Sequence, residues 1–214
     1  RGYYEVNGKR VNLKLSKAEM KEISVFLPKD VKSISDNKDF QHIHMMGGRI
    51  GVDCVNMDSY SLAIKRYSDC SYMFSKKSKP ILVLNLANPV NPGGGVRRGS
   101  KAQEEDLCRK SSLLLSLESS AASVYYKYNK SLNTYMGSDA VMVTPQVEII
   151  KDENGSLLDE SVIVSVMTCA APMLRNGMEG LTDQEYRDMV YGRITGMLKV
   201  AAHLGYEVLI LGAF

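Results

Sequence analysis

One stretch constrains the fold of this chain more than any other: the apolar run Ile81 to Leu86, then Asn88-Pro89-Val90-Asn91-Pro92-Gly93-Gly94-Gly95, then Gln103-Glu104-Glu105. A short apolar run bounded by turn residues reads as a buried strand, and the periodic apolar positions after Gln103 read as a helix, so the glycines join strand to helix. Three successive glycines let backbone N–H groups approach a ligand with no Cβ in the way. Beside a helix N-terminus such a loop suits phosphate. Packing does not ask for two carboxylates at the opening of that helix. Glutamate is nevertheless common in first turns for dipole reasons alone, so the competing reading is a surface turn before an ordinary acidic helix start.

Other glycine-loop chemistries fail on spacing. A P-loop requires Gly-Lys-Ser or Gly-Lys-Thr after four intervening residues, and a dinucleotide fingerprint requires glycine where Arg98 stands. The simplest chemistry joining a phosphate cradle to carboxylates is cleavage of a bond in a phosphorylated sugar. Adjacent helical residues point about 100° apart, so Glu104 and Glu105 are not expected to flank one glycosidic bond from opposite faces, and their roles are expected to differ. A helix N-terminus favours an ionised carboxylate, whereas a general acid must carry a proton. A bound diphosphate and exclusion of water are expected to resolve that conflict.

Along the chain, Tyr3 to Val6 and Arg10 to Leu15 flank Asn7-Gly8, a hairpin signal, and Ser16 with Glu19 reads as a capping box opening a helix. Gly51 to Val55, Ile81 to Leu86, Ala140 to Val143, Val162 to Met167 and Glu207 to Leu211 read as strands. Helices are expected over Ser59 to Tyr67, from Gln103 with Leu107, Leu114 and Leu117 on one face, and over Thr182 to His203 with a capping box to Glu185. Asp152 to Gly155 reads as a hairpin turn. Alternating strands and helices imply an α/β sheet covered on both faces, with a ligand site outside the carboxyl ends of its strands. The glycine loop, Asp58 after Val55, and Thr168 to Pro172 after Val166 are expected to converge there.

The 214 residues, 44% hydrophobic and 24% charged, suit one domain with an extension rather than two full domains. Residues 1–50 are expected to form an N-terminal extension of hairpin and helix, and 51–214 the main domain. Cys54, Cys70, Cys108 and Cys169 form no CxxC pair and read as reduced, mostly buried thiols. No apolar run approaches the ~20 residues of a membrane span and no signal peptide opens the chain, so the cytoplasm is the expected location and a membrane is not an expected partner. A net charge of +3 is too small to argue for direct nucleic-acid binding. Lys76, Lys77 and Lys79 read as a solvated loop, and Arg97 and Arg98 either meet phosphate or face water. His42 and His44 have no cysteine or carboxylate at ligand spacing, so no metal site is expected. Tyr125, Tyr126 and Tyr128 read as packing.

The run Gly93-Gly94-Gly95, a short spacer and Gln103-Glu104-Glu105 resembles the signature of the bacterial-type poly(ADP-ribose) glycohydrolases, which are built on a macrodomain. The resemblance extends through Asn85 and Asn88, the helix from Leu107 to Leu113, and Val162 to Pro172, and covers most of residues 50–214. It implies a macrodomain-like three-layer α/β fold, a mixed sheet with helices on both faces. It implies hydrolysis of ribose–ribose O-glycosidic bonds in poly(ADP-ribose), releasing ADP-ribose with no metal and no cofactor. Glu105 would be the acid/base and Glu104 would hold ribose hydroxyls, while Gly93, Gly94, Gly95 and Val96 would cradle the diphosphate that stabilises the oxocarbenium-like centre. By the same resemblance, Asn88 would stand near the distal ribose, Asp58 would accept from the adenine amino group, and Gln103 is the motif glutamine. Each has a plainer alternative: Asn88 as a turn residue, Asp58 as a helix cap, Gln103 as an anchor for the helix start. The family continues past the strand ending near Leu211 into a second glycine-rich loop with an aromatic residue, so the C-terminal part of the domain is expected to be missing from a sequence that stops at Phe214. Poly(ADP-ribose) or ADP-ribose is the expected partner, with an ADP-ribosylated protein left open. Two rivals remain: a reader that binds ADP-ribose without cleaving it, and a hydrolase removing single ADP-ribose groups from protein or nucleic acid.

Overall fold

The computed structural model describes residues 2–34, 51–70, 81–174 and 177–212. Its chain opens with the expected hairpin, β1 (Tyr3–Val6) against β2 (Lys9–Asn12). Asn7 and Gly8 both take positive φ, 50° and 73°, as a two-residue turn matching strand twist requires. Ser16 and Glu19 exchange the two bonds of a capping box, at 2.8 and 3.3 Å, but they open only a 3-10 turn, Glu19–Lys21. Met20 anchors that turn in the interior. The next residues do not form an appendage. Strand β3 (Ser24–Phe26) joins the central sheet, and helix α1 (Pro28–Ser33) packs on that sheet through Val31.

The five-stranded sheet has the order β3-β5-β6-β4-β7, with β4 at Leu82–Ala87, β5 at Val141–Lys151, β6 at Leu157–Ala170 and β7 at Leu209–Ile210. The β3–β5 and β5–β6 pairs are antiparallel, whereas β4 is parallel to both β6 and β7. The β5–β6 turn is the expected one, Asp152 Oδ1 accepting from Asn154 and Ser156 N–H at 2.9 and 2.8 Å. Pro145 falls within β5, where it cannot donate to a ladder, and the register slips there between Thr144 and Val147.

Alternate strand residues divide two cores. On one face Val83, Met142 and Ile149 meet Tyr60 of α2 (Ser59–Cys70), Leu107 of α3 (Gln103–Lys110), Leu113 of α4 (Leu113–Leu117) and Tyr125 of α5 (Ser123–Ser131). On the other, Leu82, Leu84 and Val141 meet α1 and α6 (Asp183–His203) through Met197 and Val200. Helix α6 starts where expected, with Thr182 and Glu185 completing the capping box. These are the three layers.

Two expected elements differ. Residues 51–55 form no strand and Val52 is 88% exposed, because β6 and β7 already occupy both sides of β4. The helix expected to run from Gln103 through Leu117 breaks at Ser111, which is extended and bridges Ile149. Glu148 fixes the break, its N–H donating to Ser112 Oγ at 3.0 Å and its carbonyl accepting from Ser112 N–H at 3.0 Å. Among the described residues no helix is long and apolar enough to cross a membrane. His42, His44, Lys76, Lys77, Lys79 and Phe214 lie outside the described residues.

Candidate active site

Strand β4 pairs with β7 only at Leu82 and Val83. Beyond that point the same edge of β4 has no neighbouring strand among the described residues, and Gln103 takes the place of one. Its Nε2 donates to Leu84 O at 2.6 Å and its Oε1 accepts from Leu86 N–H at 2.9 Å. The next residue continues the row: Glu104 Oε2 accepts from Asn88 N–H at 2.7 Å. Gln103 therefore anchors the start of α3 on the strand edge, its plainer alternative.

The glycine loop folds over the two carboxylates. Glu105 Oε1 accepts from Gly95 N–H at 2.7 Å, so the glutamates bind different loop amides. A Cβ on Gly94 would collide with Glu105 Oε1 and lie 3.0 Å from Glu104 Oε2, at a φ of +57° that disfavours side chains in any case. A Cβ on Gly93, at φ +68°, would lie 2.6 Å from Leu114 Cδ1, and one on Gly95 would meet the Ser100 side chain. The loop is glycine because carboxylates and core occupy the space of its Cβ atoms. Several of its amides are also spoken for: Gly94 N–H bonds Asn91 O at 2.9 Å and Val96 N–H bonds Gly93 O at 3.1 Å. In this structure the Gly94, Gly95 and Val96 amides organise the loop and Glu105.

Both glutamates are almost fully buried, 3% and 7% exposed, and each keeps one oxygen without a hydrogen-bond partner among the described residues, Glu104 Oε1 and Glu105 Oε2. Burial pushes Glu104 up to about 7, helped by the neighbouring Glu105 charge and opposed by the Asn88 amide. Asn85 Oδ1 and the hydroxyls of Tyr125 and Tyr126 are likewise buried without partners. Burial foremost raises the Tyr126 hydroxyl, and the Glu104 charge adds to it. Cys108, lying 3.3 Å from the place of a Gly93 Cβ, is pushed up to about 12 by burial and by both glutamates, so it is an inert thiol.

The sequence model of the family described as microbial-type PARG, catalytic domain, matches residues 1–152. The chain belongs to that family. It is a glycohydrolase domain acting on poly(ADP-ribose). A poly(ADP-ribose) glycohydrolase from Thermomonospora curvata, solved with the inhibitor ADP-HPD, aligns with a TM-score of 0.81 at 27% identity over 99% of this chain and 73% of that one. One from Deinococcus radiodurans in complex with ADP-ribose aligns with a TM-score of 0.77 at 28% identity, covering 95% of this chain and 77% of that one. Curated proteins yield no significant sequence match.

Within this glycohydrolase frame the remaining candidates divide. Asn88 Oδ1 accepts from Val90 and Asn91 N–H at 3.0 and 2.9 Å, so its carbonyl builds the turn while its main chain holds Glu104. Val96 opens a 3-10 turn, Val96–Arg98, and its side chain packs on the core beneath the loop. Arg97 faces water in an ion pair with Glu118 at 2.7 Å. Asp58 is not brought to the glycine loop. It caps α2 through the Tyr60 and Ser61 amides, both at 3.1 Å, and stands 3.9 Å from Lys110 at the far end of α3. There it borders a cavity of about 460 Å³ shared with Ile64, Lys65 and Glu153. Lacking a strand at 51–55, the chain does not carry Asp58 to the carboxyl edge of the sheet.

The segment after β6 does reach that edge, and the residue that ties it there was invisible in the sequence. Arg193 of α6 is 1% exposed; it donates from Nη1 to Met136 O at 2.7 Å and Ala170 O at 3.0 Å, and from Nε to Asp139 at 3.1 Å. An arginine inside an amphipathic helix carries no signal that it points inward. A buried guanidinium nevertheless needs acceptors on several sides, and the carbonyl at the end of β6, the Met136 carbonyl and the Asp139 carboxylate supply them.

Proposed function

We propose that this domain cleaves the ribose–ribose O-glycosidic bond of poly(ADP-ribose) with Glu105 as acid/base and Glu104 as the holder of ribose hydroxyls. One observation carries the assignment: each carboxylate has one oxygen fixed by a loop amide and the other buried without a partner among the described residues. A fixed oxygen orients the group, and an unpartnered one has a bond left to give. Glu105 Oε2 delivers its proton to the bridging oxygen as the C–O bond to the reacting ribose breaks. The oxocarbenium-like centre is stabilised by the substrate's own diphosphate, held over the glycine loop around Gly93, Gly94, Gly95 and Val96. The carboxylate then takes a proton from the attacking water, and ADP-ribose is released with Glu105 reprotonated. Glu104, buried and raised to about 7, carries a proton about half the time at pH 7 and so can both donate to and accept from sugar hydroxyls. The described thiols, Cys54, Cys108 and Cys169, are free, which supports placing the protein in the cytoplasm.

The test is turnover of Glu105→Gln, which keeps shape and hydrogen bonding but has no proton to supply. Release of ADP-ribose from polymer is expected to fall by roughly 10²–10⁴-fold while ADP-ribose binding persists. Assaying poly(ADP-ribose) and mono-ADP-ribosylated protein side by side separates the polymer hydrolase from its rivals. Near-parental turnover by the variant would remove Glu105 from the acid/base role.

A further inference from the structure

We propose that Tyr135, with Met173 and Leu174 beside it, stacks the adenine of the polymer unit that leaves when the bond at Glu105 is cut. This rests on the polymer-cleaving reading above. The three side chains are exposed large hydrophobics, Tyr135 at 51%, Met173 at 38% and Leu174 at 46%. Tyr135 and Met173 belong to segments 38 residues apart in sequence, joined by a bond from Met173 N–H to Tyr135 O at 3.0 Å. Scattered apolar residues on a surface need no explanation, but an aromatic and two aliphatics from two segments held together do.

Their place in the fold ties them to the site. Met173 lies three residues beyond Ala170, the last residue of β6, which pairs with Ala87 at the end of β4. On the other segment a Cβ on Gly137 would lie 2.6 Å from Ala170 Cβ and 3.7 Å from Pro89 Cβ, and Pro89 follows the Asn88 whose amide holds Glu104. The patch is therefore continuous with the carboxyl edge of the sheet, on the β6 side of the glycine loop. The backbone beneath it is also held by hydrogen bonds. Glu179, at the unusual φ of +52°, accepts from Tyr135 N–H at 2.8 Å and from the Thr134 hydroxyl, and Arg193 fixes the next carbonyl, Met136 O. A preorganised aromatic loses little entropy when a ligand covers it.

The chemistry of the substrate names the occupant. In poly(ADP-ribose) the scissile oxygen belongs to the adenosine ribose of the adjoining unit, so an adenine lies within one nucleoside of the bond. An exposed aromatic, with exposed apolar residues on the neighbouring hydrogen-bonded segment, suits a nucleobase face.

The experiment compares binding of a two-unit ADP-ribose oligomer with binding of ADP-ribose alone, using the Glu105→Gln protein so that the oligomer survives. The oligomer is expected to bind roughly 5- to 150-fold more tightly, the range of one stacked base. Adding Tyr135→Ala is expected to abolish that advantage and leave ADP-ribose affinity unchanged, while Tyr135→Phe retains it, because the ring and not the hydroxyl stacks. Equal affinity for the two ligands in the Glu105→Gln protein, or an advantage that survives Tyr135→Ala, would overturn the subsite. So would loss of a solution dimer on Tyr135→Ala with the oligomer advantage intact, which would give the surface to a second copy of this chain. Oligomer shortened during the measurement faults the Glu105 assignment instead, and the binding difference still decides the subsite.

Discussion

Glu104 holds a proton that an exposed glutamate would have released. Its folded value is raised from 4.5 to about 7, chiefly by burial. Between those values the native state binds a proton that the unfolded chain has given up, so stability falls as pH rises. The contribution is fully present below pH 4.5 and gone once pH has passed about 7. For a side chain 3% exposed, the shift corresponds to on the order of 3 kcal/mol. Glu104→Gln, neutral throughout, is expected to flatten that slope, so that the parent loses on the order of 3 kcal/mol more than the variant between pH 5 and pH 8 in urea titrations. Parallel pH profiles for the two proteins would show that Glu104 is ionised in the native state at both ends. At this scale the motif glutamates were legible because they stand side by side in the chain. Arg193 and Glu148 were not, since their partners Met136, Lys14 and Leu15 lie 57, 134 and 133 residues away.

The strand, the glycine loop and α3 form the element on which the chemistry depends, and here the sequence was most readable. Periodicity found β4, β6 and α6, because buried strands and amphipathic helices repeat every few residues. It misread 51–55 and the break at Ser111, where the deciding interaction is a long-range one: occupied neighbours of β4 in one case, a bridge to Ile149 in the other. The purpose of the glycines was half legible. Three in a row announced a close approach, but only the structure shows that the approaching groups are the protein's own carboxylates. Gly94→Ala therefore carries an expectation different from general loop damage. A methyl group at φ +57° costs roughly 1–2 kcal/mol of stability, yet it also displaces the Glu105 carboxylate. Turnover is expected to drop about 100-fold, as for an ångström-scale misplacement, while the melting temperature falls by only several degrees. A variant that loses both in proportion would indicate simple unfolding.

Across the whole molecule, one buried carboxylate far from the site binds the N-terminal segment to the sheet. Glu148 is fully buried and accepts from Lys14 N–H at 2.8 Å, Leu15 N–H at 3.2 Å and Ser161 Oγ at 2.5 Å. Removing it strands three donors, and Glu148→Ala is expected to cost about 3 kcal/mol in chemical denaturation. Glu148 pairs with Ile163, seven residues before Ala170, so the site lies roughly 20 Å along the strand. The folded variant is expected to keep the parental turnover per native molecule, and a selective loss of activity would reveal coupling between the two ends of the sheet.

Gln103 has a consequence for how accurately such a catalyst can be assembled. Its amide and the carboxylate of Glu104 address successive backbone groups on one strand edge, Leu84 O, Leu86 N–H and Asn88 N–H. Those groups recur only at every second residue, about 7 Å apart, so the helix can engage the strand in one register or in a badly wrong one, with nothing between. The placement of the reacting carboxylates is thereby digital: small errors in the surrounding packing are rounded away by the repeat of the peptide chain itself.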